Sequence, residues 1–305
     1  MVPALRIALT GGTGFVGSHV ISIAVAGGHR LSALTRRPQE PRAGVTWIEG
    51  SLEDRNALAR LIEGADAVIH VAGILNAPDE AGFEAGNVTG TLSMLAAATA
   101  AGVARFVHVS SLAAREPQLS LYGASKLQSE TLVERSGLDW AIVRPPAVYG
   151  PGDRETLDLF KMARGGQIFM PPRGRISLIH VDDLARLLLA LAAPSAPTKL
   201  IFEPDDGRPG GWTHRQFGDA LAAAVGVPAR TVHTPKFLLD LGARVDRLIR
   251  RNRAKLTADR VAYFCHPDWV VNRDRAVPAD LWRPSIPTEE GLKETAGWYR
   301  NQGWL

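Results

Sequence analysis

The feature that most constrains the fold is an alternation of short apolar segments with helix-like segments through the first half of the chain. Strands are expected at 6–10, 30–35, 45–50, 67–73 and 105–111 and from residue 140 onward. Helices are expected at 15–28, 54–64, 86–102 and 122–137, with Asp54 as an N-cap. Apolar strands that alternate with helices are typical of a parallel, doubly wound sheet, which binds ligands at the carboxyl ends of its strands.

A glycine-rich loop, TGGTGFVG at 10–17, follows the first predicted strand and opens the first predicted helix. Gly11 allows a tight turn, Gly14 lets the backbone approach a pyrophosphate, and Gly17 lets the helix pack against the strand. The free N–H groups at the start of the helix suit a phosphate. The alternative is a purely structural turn. Its place in the first strand–helix unit favours a dinucleotide site in a Rossmann-type fold.

The end of the second predicted strand bears on which dinucleotide is bound. An acid at this point usually holds the ribose 2′-hydroxyl of NAD, whereas here the sequence reads ALTRRP at 33–38. A guanidinium suits a 2′-phosphate. We therefore predict NADP rather than NAD, with Arg36 as the contact ahead of Arg37. The alternative is that both arginines are simply solvated.

The alternating pattern loosens after about residue 150, where proline and glycine cluster and one more strand-plus-helix unit occupies 176–193. We predict an NAD(P)-binding Rossmann domain over 1–165, to which 176–203 returns. A smaller substrate-binding lobe is predicted from 166–175 and 204–305.

A tyrosine and a lysine, both scarce in this chain, stand four residues apart in LYGASK at 121–126. Tyr122 and Lys126 would share one face of a helix. A free phenol, with a pKa of about 10, transfers protons poorly at neutral pH, and a nearby ammonium lowers that pKa. The pair therefore predicts a tuned acid that protonates a carbonyl oxygen during hydride transfer. The alternative is a core tyrosine beside a solvated lysine.

An ordered set of motifs runs through the whole chain and resembles the extended short-chain dehydrogenase/reductase superfamily, which includes NAD-dependent epimerases and dehydratases. The motifs are TGGTGFVG, HVAG (70–73), NVTGT (87–91), HVSS (108–111), YGASK (122–126), RPPAVYGPGD (144–153) and HVDDLA (180–185). The C-terminal layout is similar to 3β-hydroxysteroid dehydrogenase and dihydroflavonol reductase relatives.

The resemblance implies a catalytic serine, tyrosine and lysine at Ser111, Tyr122 and Lys126, with Ser110 as the near alternative for the serine. It implies that Lys126 also holds the nicotinamide ribose. The other implied cofactor contacts are Gly11, Thr13, Gly14, Phe15, Val16, Arg36, Leu52, Val71, Ala72, Gly73 and Pro145.

Three departures from the family pattern bear on the substrate. Ser51 stands where an adenine-contacting aspartate is common, Ala147 stands where sugar-nucleotide epimerases usually have asparagine, and the link from Ser111 to Tyr122 is short. We predict an NADP-dependent oxidoreductase that interconverts a carbonyl and an alcohol on a small, apolar substrate. The first alternative is a nucleotide-sugar epimerase or dehydratase with tightly held NAD. The second is a non-catalytic NAD(P)-binding regulatory or accessory subunit.

The composition of the chain limits the other classes of protein to which it could belong. The single cysteine, Cys265, excludes an internal disulfide framework, and the eight histidines show no ligand-like spacing, so no metal site is expected. A net charge of +4 does not by itself imply nucleic acid. Neither a signal peptide nor an apolar run of about 18 residues is evident, so we expect a cytoplasmic protein without a spanning helix. A homodimer is compatible with the resemblance, and the sequence leaves the oligomeric state open.

One C-terminal segment, 235–256, combines apolar residues at helical spacing with many arginines, which concentrate over 243–260. Three interpretations stay open: the apolar stripe roofs a hydrophobic pocket, it docks the helix on the core, or the basic face rests on an anionic membrane surface.

Overall fold

The computed structural model describes residues 4–250 and 257–305. Its strands are β1 Arg6–Thr10, β2 Arg30–Thr35, β3 Val45–Glu49, β4 Ala67–His70, β5 Arg105–Val109, β6 Asp139–Val143, β7 Ala147–Tyr149, β8 Gln167–Met170, β9 Arg175–Ile176, β10 Leu178–His180, β11 Leu200–Phe202, β12 Trp212–Thr213, β13 Arg230–His233 and β14 Asp268–Trp269. Seven of them form one sheet in the order β11-β6-β5-β4-β1-β2-β3, and its pairings are parallel. The predicted doubly wound parallel sheet is confirmed.

The described residues form eleven α-helices, five of which cover the two faces of this sheet. They are α1 Phe15–Ala26, α2 Arg55–Ile62, α3 Glu80–Phe83, α4 Gly90–Ala100, α5 Leu121–Glu134, α6 Leu157–Arg164, α7 Val181–Ala192, α8 His214–Val225, α9 Lys236–Arg250, α10 Ala258–Phe264 and α11 Thr288–Asn301. Side chains of α1 and α7 build the apolar core on one face, and those of α2, α4 and α5 build it on the other. Asp54 caps α2 as predicted, accepting hydrogen bonds from two backbone N–H groups.

The strand ends differ from the sequence expectation in a way that creates the site. The segments 67–73 and 105–111 leave the sheet after His70 and Val109, so that their last residues form loops at the carboxyl edge. The segment from 140 divides into β6 and β7 on either side of Pro145 and Pro146, because proline has no N–H to donate to a ladder.

Two further elements were not expected. The helix predicted over 86–102 begins as a π-helical turn, Glu84–Thr89, and continues as α4. Asn87 lies buried in that turn and exchanges hydrogen bonds with the backbone of Ile74, which keeps its side chain turned inward. The seventh strand of the main sheet is β11, whereas the predicted strand before α7 pairs with β7 in a separate two-stranded sheet.

The rest of the chain builds smaller sheets, β13 with β8 and β12-β9-β14, and a third core cluster from α6, α8 and α11. These elements come mainly from 166–175 and 204–305, the segments assigned above to a substrate-binding lobe. The division of the chain into two lobes stays a prediction.

Candidate active site

The glycine loop between β1 and α1 has the tight geometry that its sequence predicts. Gly11 has a φ of +74°, and a Cβ there would lie 2.8 Å from the backbone N of Ala72. A Cβ on Gly17 would lie 2.1 Å from the carbonyl oxygen of Gly11. Helix α1 begins after Gly14 without a side-chain cap. The loop therefore leaves backbone N–H groups at the N-terminus of α1 for an anionic ligand.

The predicted cofactor contacts meet at the same edge of the sheet. Val71 and Ala72 follow β4 and pack beside the glycine loop, where Ala72 N donates to Thr10 Oγ1 at 3.2 Å. Gly73 comes next, and a Cβ there would lie 3.6 Å from Lys126 Nζ. The structure thus brings the cradle for a pyrophosphate within reach of the predicted catalytic lysine.

The remaining contacts lie around this cradle. Thr13 and Gly14 are exposed, and Phe15 and Val16 form the first turn of α1. Leu52 packs over the start of α4, where its Cδ1 would lie 2.7 Å from a Cβ on Gly90. Pro145 is buried after β6, and its carbonyl oxygen accepts a hydrogen bond from Leu112 N at 3.0 Å.

Arg36 lies at the exposed end of β2, as the sequence predicts. Its side chain makes no hydrogen bond or ion pair within 4–250 and 257–305, and the same holds for the side chain of Arg37. The geometry therefore leaves both guanidinium groups available to a ligand and does not rank them.

The two candidate serines point to different partners. Ser111 is the N-cap of the short 3₁₀ turn Leu112–Arg115, and hydrogen bonding between its hydroxyl and Tyr122 lowers the pKa of Tyr122. Ser110 is turned away, and its Oγ donates to Glu130 Oε1 at 2.5 Å. Successive residues of an extended chain face opposite sides, so only Ser111 faces the tyrosine.

The pKa of Tyr122 departs from the sequence expectation. Burial raises it to about 12, hydrogen bonding with Ser111 lowers it, and the charge of Glu155 raises it. The predicted lowering by Lys126 is wrong for this arrangement. The ammonium of Lys126 donates instead to the carbonyl oxygen of Val109, at 2.8 Å. Tyr122 is therefore held as a neutral phenol, the form that can donate a proton.

Lys126 is buried one turn along α5, at 4% exposure. Burial lowers its pKa to about 8, and the carboxylate of Glu130 raises it. The rings of His70 and His108 stack, with their centroids 5.5 Å apart. Burial and the charge of Lys126 lower the pKa of both imidazoles. Both imidazoles are therefore neutral at pH 7, and the positive charge next to them is that of Lys126.

A buried ion pair fixes the far side of the same helix. Arg144, at the end of β6, donates to Glu130 Oε1 at 2.8 Å and Oε2 at 2.6 Å, and it also reaches Glu203 Oε1 at 3.4 Å. Ser110 shares the Glu130 carboxylate. Helix α5 is thereby tied to both β6 and the chain just after β11.

Two residues beside the site received no role from the sequence. Asn87 donates to Ser125 Oγ at 2.9 Å, next to Lys126, and its motif NVTGT was a visible signal. Tyr263 of α10 lies near Tyr122: burial raises the pKa of Tyr263, and the charge of an ionised Tyr122 raises it further. Nothing in the local sequence pointed to Tyr263, because the fold brings it there from beyond residue 250.

Within the described ranges, no group of three or more histidine, cysteine, aspartate or glutamate residues could hold a metal ion. The helices of those ranges are also too short or too polar to cross a membrane. The basic segment predicted over 243–260 is only partly visible, since 251–256 lie outside the described residues.

Comparison with known proteins shows which family has this architecture. The model of the NAD dependent epimerase/dehydratase family matches residues 7–201. A ceramide reductase from Caulobacter vibrioides is 37% identical over 98% of this chain and 96% of its own length. A 4-hydroxy-2-methyl-3-oxo-4-farnesyl-3,4-dihydroquinoline-1-oxide ketoreductase from Stigmatella aurantiaca is 31% identical over 94% of this chain and 95% of its own.

A solved structure, MoeE5 in complex with UDP-glucose and NAD, superimposes with a TM-score of 0.74 at 22% identity, covering 98% of this chain and 99% of that one. At that identity the likeness concerns the fold. Together with the family match, these relatives show that the chain belongs to the NAD-dependent epimerase/dehydratase family of extended short-chain dehydrogenases/reductases and is an NAD(P)-dependent oxidoreductase.

Proposed function

We propose that this protein is a cytoplasmic, NADP-dependent reductase that interconverts a ketone and an alcohol on an apolar, lipid-like substrate. One observation carries the proposal: Tyr122 lies near Ser111, whose hydroxyl lowers the pKa of the phenol, and one turn from the buried Lys126, beside the glycine loop. A single cysteine suits the reducing compartment that we propose.

The arrangement supports a division of labour among three side chains. Bound NADPH would supply the hydride that attacks the carbonyl carbon. Tyr122 donates its phenolic proton to the carbonyl oxygen as negative charge develops there, and its raised pKa keeps that proton in place beforehand. Ser111 hydrogen-bonds the same oxygen and orients it. Lys126 supplies a buried positive charge beside that proton transfer and a donor for the nicotinamide ribose.

The choice of NADP rests on the end of β2. The glycine loop fits a dinucleotide because the close approaches at Gly11 and Gly17 leave no room for side chains. Arg36 is exposed there, and the segment ALTRRP contains no acidic residue that could hold a ribose 2′-hydroxyl. A guanidinium in that place favours a 2′-phosphate, and we assign this contact to Arg36.

The proposed substrate class rests on the pocket side of Tyr122 and on the relatives. Phe83 packs near the tyrosine, with ring centroids 6.3 Å apart, and Tyr263 flanks it from the C-terminal part of the chain. Ala147 is exposed and offers no polar side chain for a sugar. The names of two relatives join a reductase activity to a ceramide or to a farnesyl-bearing oxo compound. These points favour a ketone with a long apolar group over a nucleotide sugar.

The direct test is NADPH oxidation with a panel of ketones, from short water-soluble ones to 3-oxo compounds with long alkyl chains. We expect turnover with the long-chain members, and Tyr122→Phe should lower it about 10²-fold or more while NADPH binding is retained, the usual scale for a general acid. Tyr149→Phe makes the same change at a buried tyrosine of the third core cluster and should leave turnover within about twofold. Undiminished turnover in Tyr122→Phe would refute the catalytic assignment.

The cofactor assignment has a separate test. Arg36→Asp should weaken NADPH binding by about 1.5–3 kcal/mol, the value of a hydrogen bond to a charged group, and should shift preference toward NADH. Titration of each cofactor into wild type and variant measures this. Equal affinity of the wild-type protein for both cofactors contradicts the NADP assignment. Bound NAD that survives gel filtration, with UDP-sugars as the only stabilising ligands, points instead to the epimerase alternative.

A further inference from the structure

Helix α9 carries its large apolar side chains on the outside. Phe237 is 69% exposed, Leu241 55% and Leu248 79%, and these three residues lie along one side of the helix. Leu238 and Val245 flank them at 46% exposure each. The five side chains cover an arc of about 100°, the width of stripe that usually faces a core. Ala243, on the opposite side, is buried, and it is the buried residue among the described side chains of this helix.

This concentration of exposed apolar residues is unusual within the described part of the chain. Eleven large hydrophobic residues are exposed there, and five of them lie on α9. The other six are spread over the surface, on α4, β8, β11 and elsewhere. Scattered exposed leucines are ordinary, whereas a contiguous exposed stripe indicates a surface that another apolar phase covers.

The charge of the same segment indicates what covers it. Between residues 236 and 255 the sequence holds seven lysines and arginines against Asp240 and Asp246. Arg244 is exposed on α9 beside the apolar stripe. A second copy of this helix would bring two strongly positive segments together, which is unfavourable. A surface that is apolar and bordered by negative charge could bury the apolar stripe and also attract the basic residues.

The position of α9 relates this surface to the candidate active site. Helix α9 packs on α10, and α10 contacts the short turn Pro117–Leu119 that leads into α5. Tyr263 of α10 lies near Tyr122, and Phe264, the next residue, is 42% exposed. Helix α9 therefore contacts the helix that flanks Tyr122 and stands between that helix and a partner on its outer side.

We propose that α9 docks this protein on the surface of an anionic phospholipid bilayer, lying in the plane of the interface with its apolar stripe among the acyl chains. Burial of the stripe supplies affinity, and attraction between the basic residues and anionic headgroups adds to it. The proposal stands on the surface of α9, so it holds or fails independently of the proposed ketone reduction.

Vesicle co-sedimentation of the full chain tests the proposal without any activity measurement. The protein should pellet with phosphatidylglycerol-containing vesicles at low salt, pellet far less with pure phosphatidylcholine vesicles, and be released as salt rises. Absence of binding to the anionic vesicles at low salt overturns the proposal. Equal binding to both vesicle types, indifferent to salt, overturns its electrostatic part.

Two leucine variants assign the binding to α9. Leu241→Asp should lower affinity for the anionic vesicles about tenfold or more, since it replaces a membrane-buried side chain by an anion. Leu200→Asp makes the same change at a leucine 46% exposed on β11 and should leave the affinity unchanged. Both variants should keep the wild-type circular dichroism spectrum. Undiminished vesicle binding by Leu241→Asp overturns the assignment. So does a dimer that this variant converts to monomer without any vesicle binding by wild type.

Discussion

Helices α5 and α9 depart from the ordinary pattern of a surface helix in opposite directions. Helix α5 turns polar side chains into the protein: Ser125, Lys126, Ser129 and Glu130 are all at most 4% exposed. Helix α9 turns apolar side chains out, with Leu248 at 79% exposure. Buried polar groups and exposed apolar stripes are the two departures that carry information about function.

The two helices also differ in how their unusual side chains are satisfied. Each buried polar group of α5 has a partner inside the protein: Asn87 for Ser125, the Val109 carbonyl for Lys126, His108 for Ser129 and Arg144 for Glu130. The apolar stripe of α9 has no such partner among the described residues. The buried polar groups of α5 are therefore satisfied within the protein, whereas the apolar stripe of α9 stays exposed.

The comparison is tested most strongly at Glu130. Replacing it with glutamine removes a buried carboxylate and leaves Glu203, at 3.4 Å, as the charged partner of the Arg144 guanidinium. We expect the free energy of unfolding to fall by about 3 kcal/mol, the lower end of the cost of breaking a buried ion pair. Urea denaturation measures this. The control is Asp219→Asn, at an exposed pair with Arg215, which should change stability by less than about 0.5 kcal/mol. Equal losses in the two variants would contradict the described role of the buried pair.

The pH dependence of the proposed reduction tests the role of Lys126, a second buried polar group of α5. Because burial lowers the pKa of Lys126 to about 8, this side chain loses its charge as pH rises through that value, while Tyr122, with a pKa of about 12, stays protonated. We expect kcat/KM to be level below pH 8 and to fall above it, approaching about tenfold per pH unit. In Glu130→Gln the fall should begin at lower pH, since the Glu130 carboxylate raises the pKa of Lys126. A profile that stays level up to pH 10 would show that the ammonium is not needed.

The smallest effect is expected on α9. Leu248→Ala should change the free energy of unfolding by less than about 0.5 kcal/mol, because the side chain already faces outward. Leu292→Ala, the same substitution at a fully buried position of α11, should cost about 2–5 kcal/mol. Thermal or urea unfolding of both variants in the absence of lipid compares them. A large loss in Leu248→Ala would mean that α9 is covered within the protein itself.

Much of the candidate site could be predicted because its residues follow strand ends. In a parallel sheet the carboxyl ends of the strands meet at one edge, so the glycine loop after β1, Gly73 after β4 and Ser111 after β5 had to come together. Tyr122 and Lys126 share a face because they stand one helical turn apart. Their catalytic roles stay predictions until the variants are measured.

Other features depended on contacts that no local pattern carries. The sequence pointed to a lysine that lowers the pKa of Tyr122, yet the direction of that ammonium is set by the Val109 carbonyl, and burial raises the pKa instead. Tyr263 reaches the same site from α10, and β11 completes the sheet as a three-residue strand too short to stand out. Each of these features depends on packing between segments that are distant in the sequence.

The sequence by itself determined the doubly wound sheet, the dinucleotide loop and the placing of Tyr122 and Lys126 on one helix face, because these follow from periodicity, from glycine spacing and from the geometry of one helix. The tertiary structure alone decided that Ser111 rather than Ser110 faces Tyr122, since Ser110 is bound by Glu130. It also decided that the apolar stripe of α9 faces outward rather than onto the core. The physical reason is the same in both cases: a side chain's environment is set by the surfaces that pack around it, and an amphipathic sequence does not record which of its faces will find a partner.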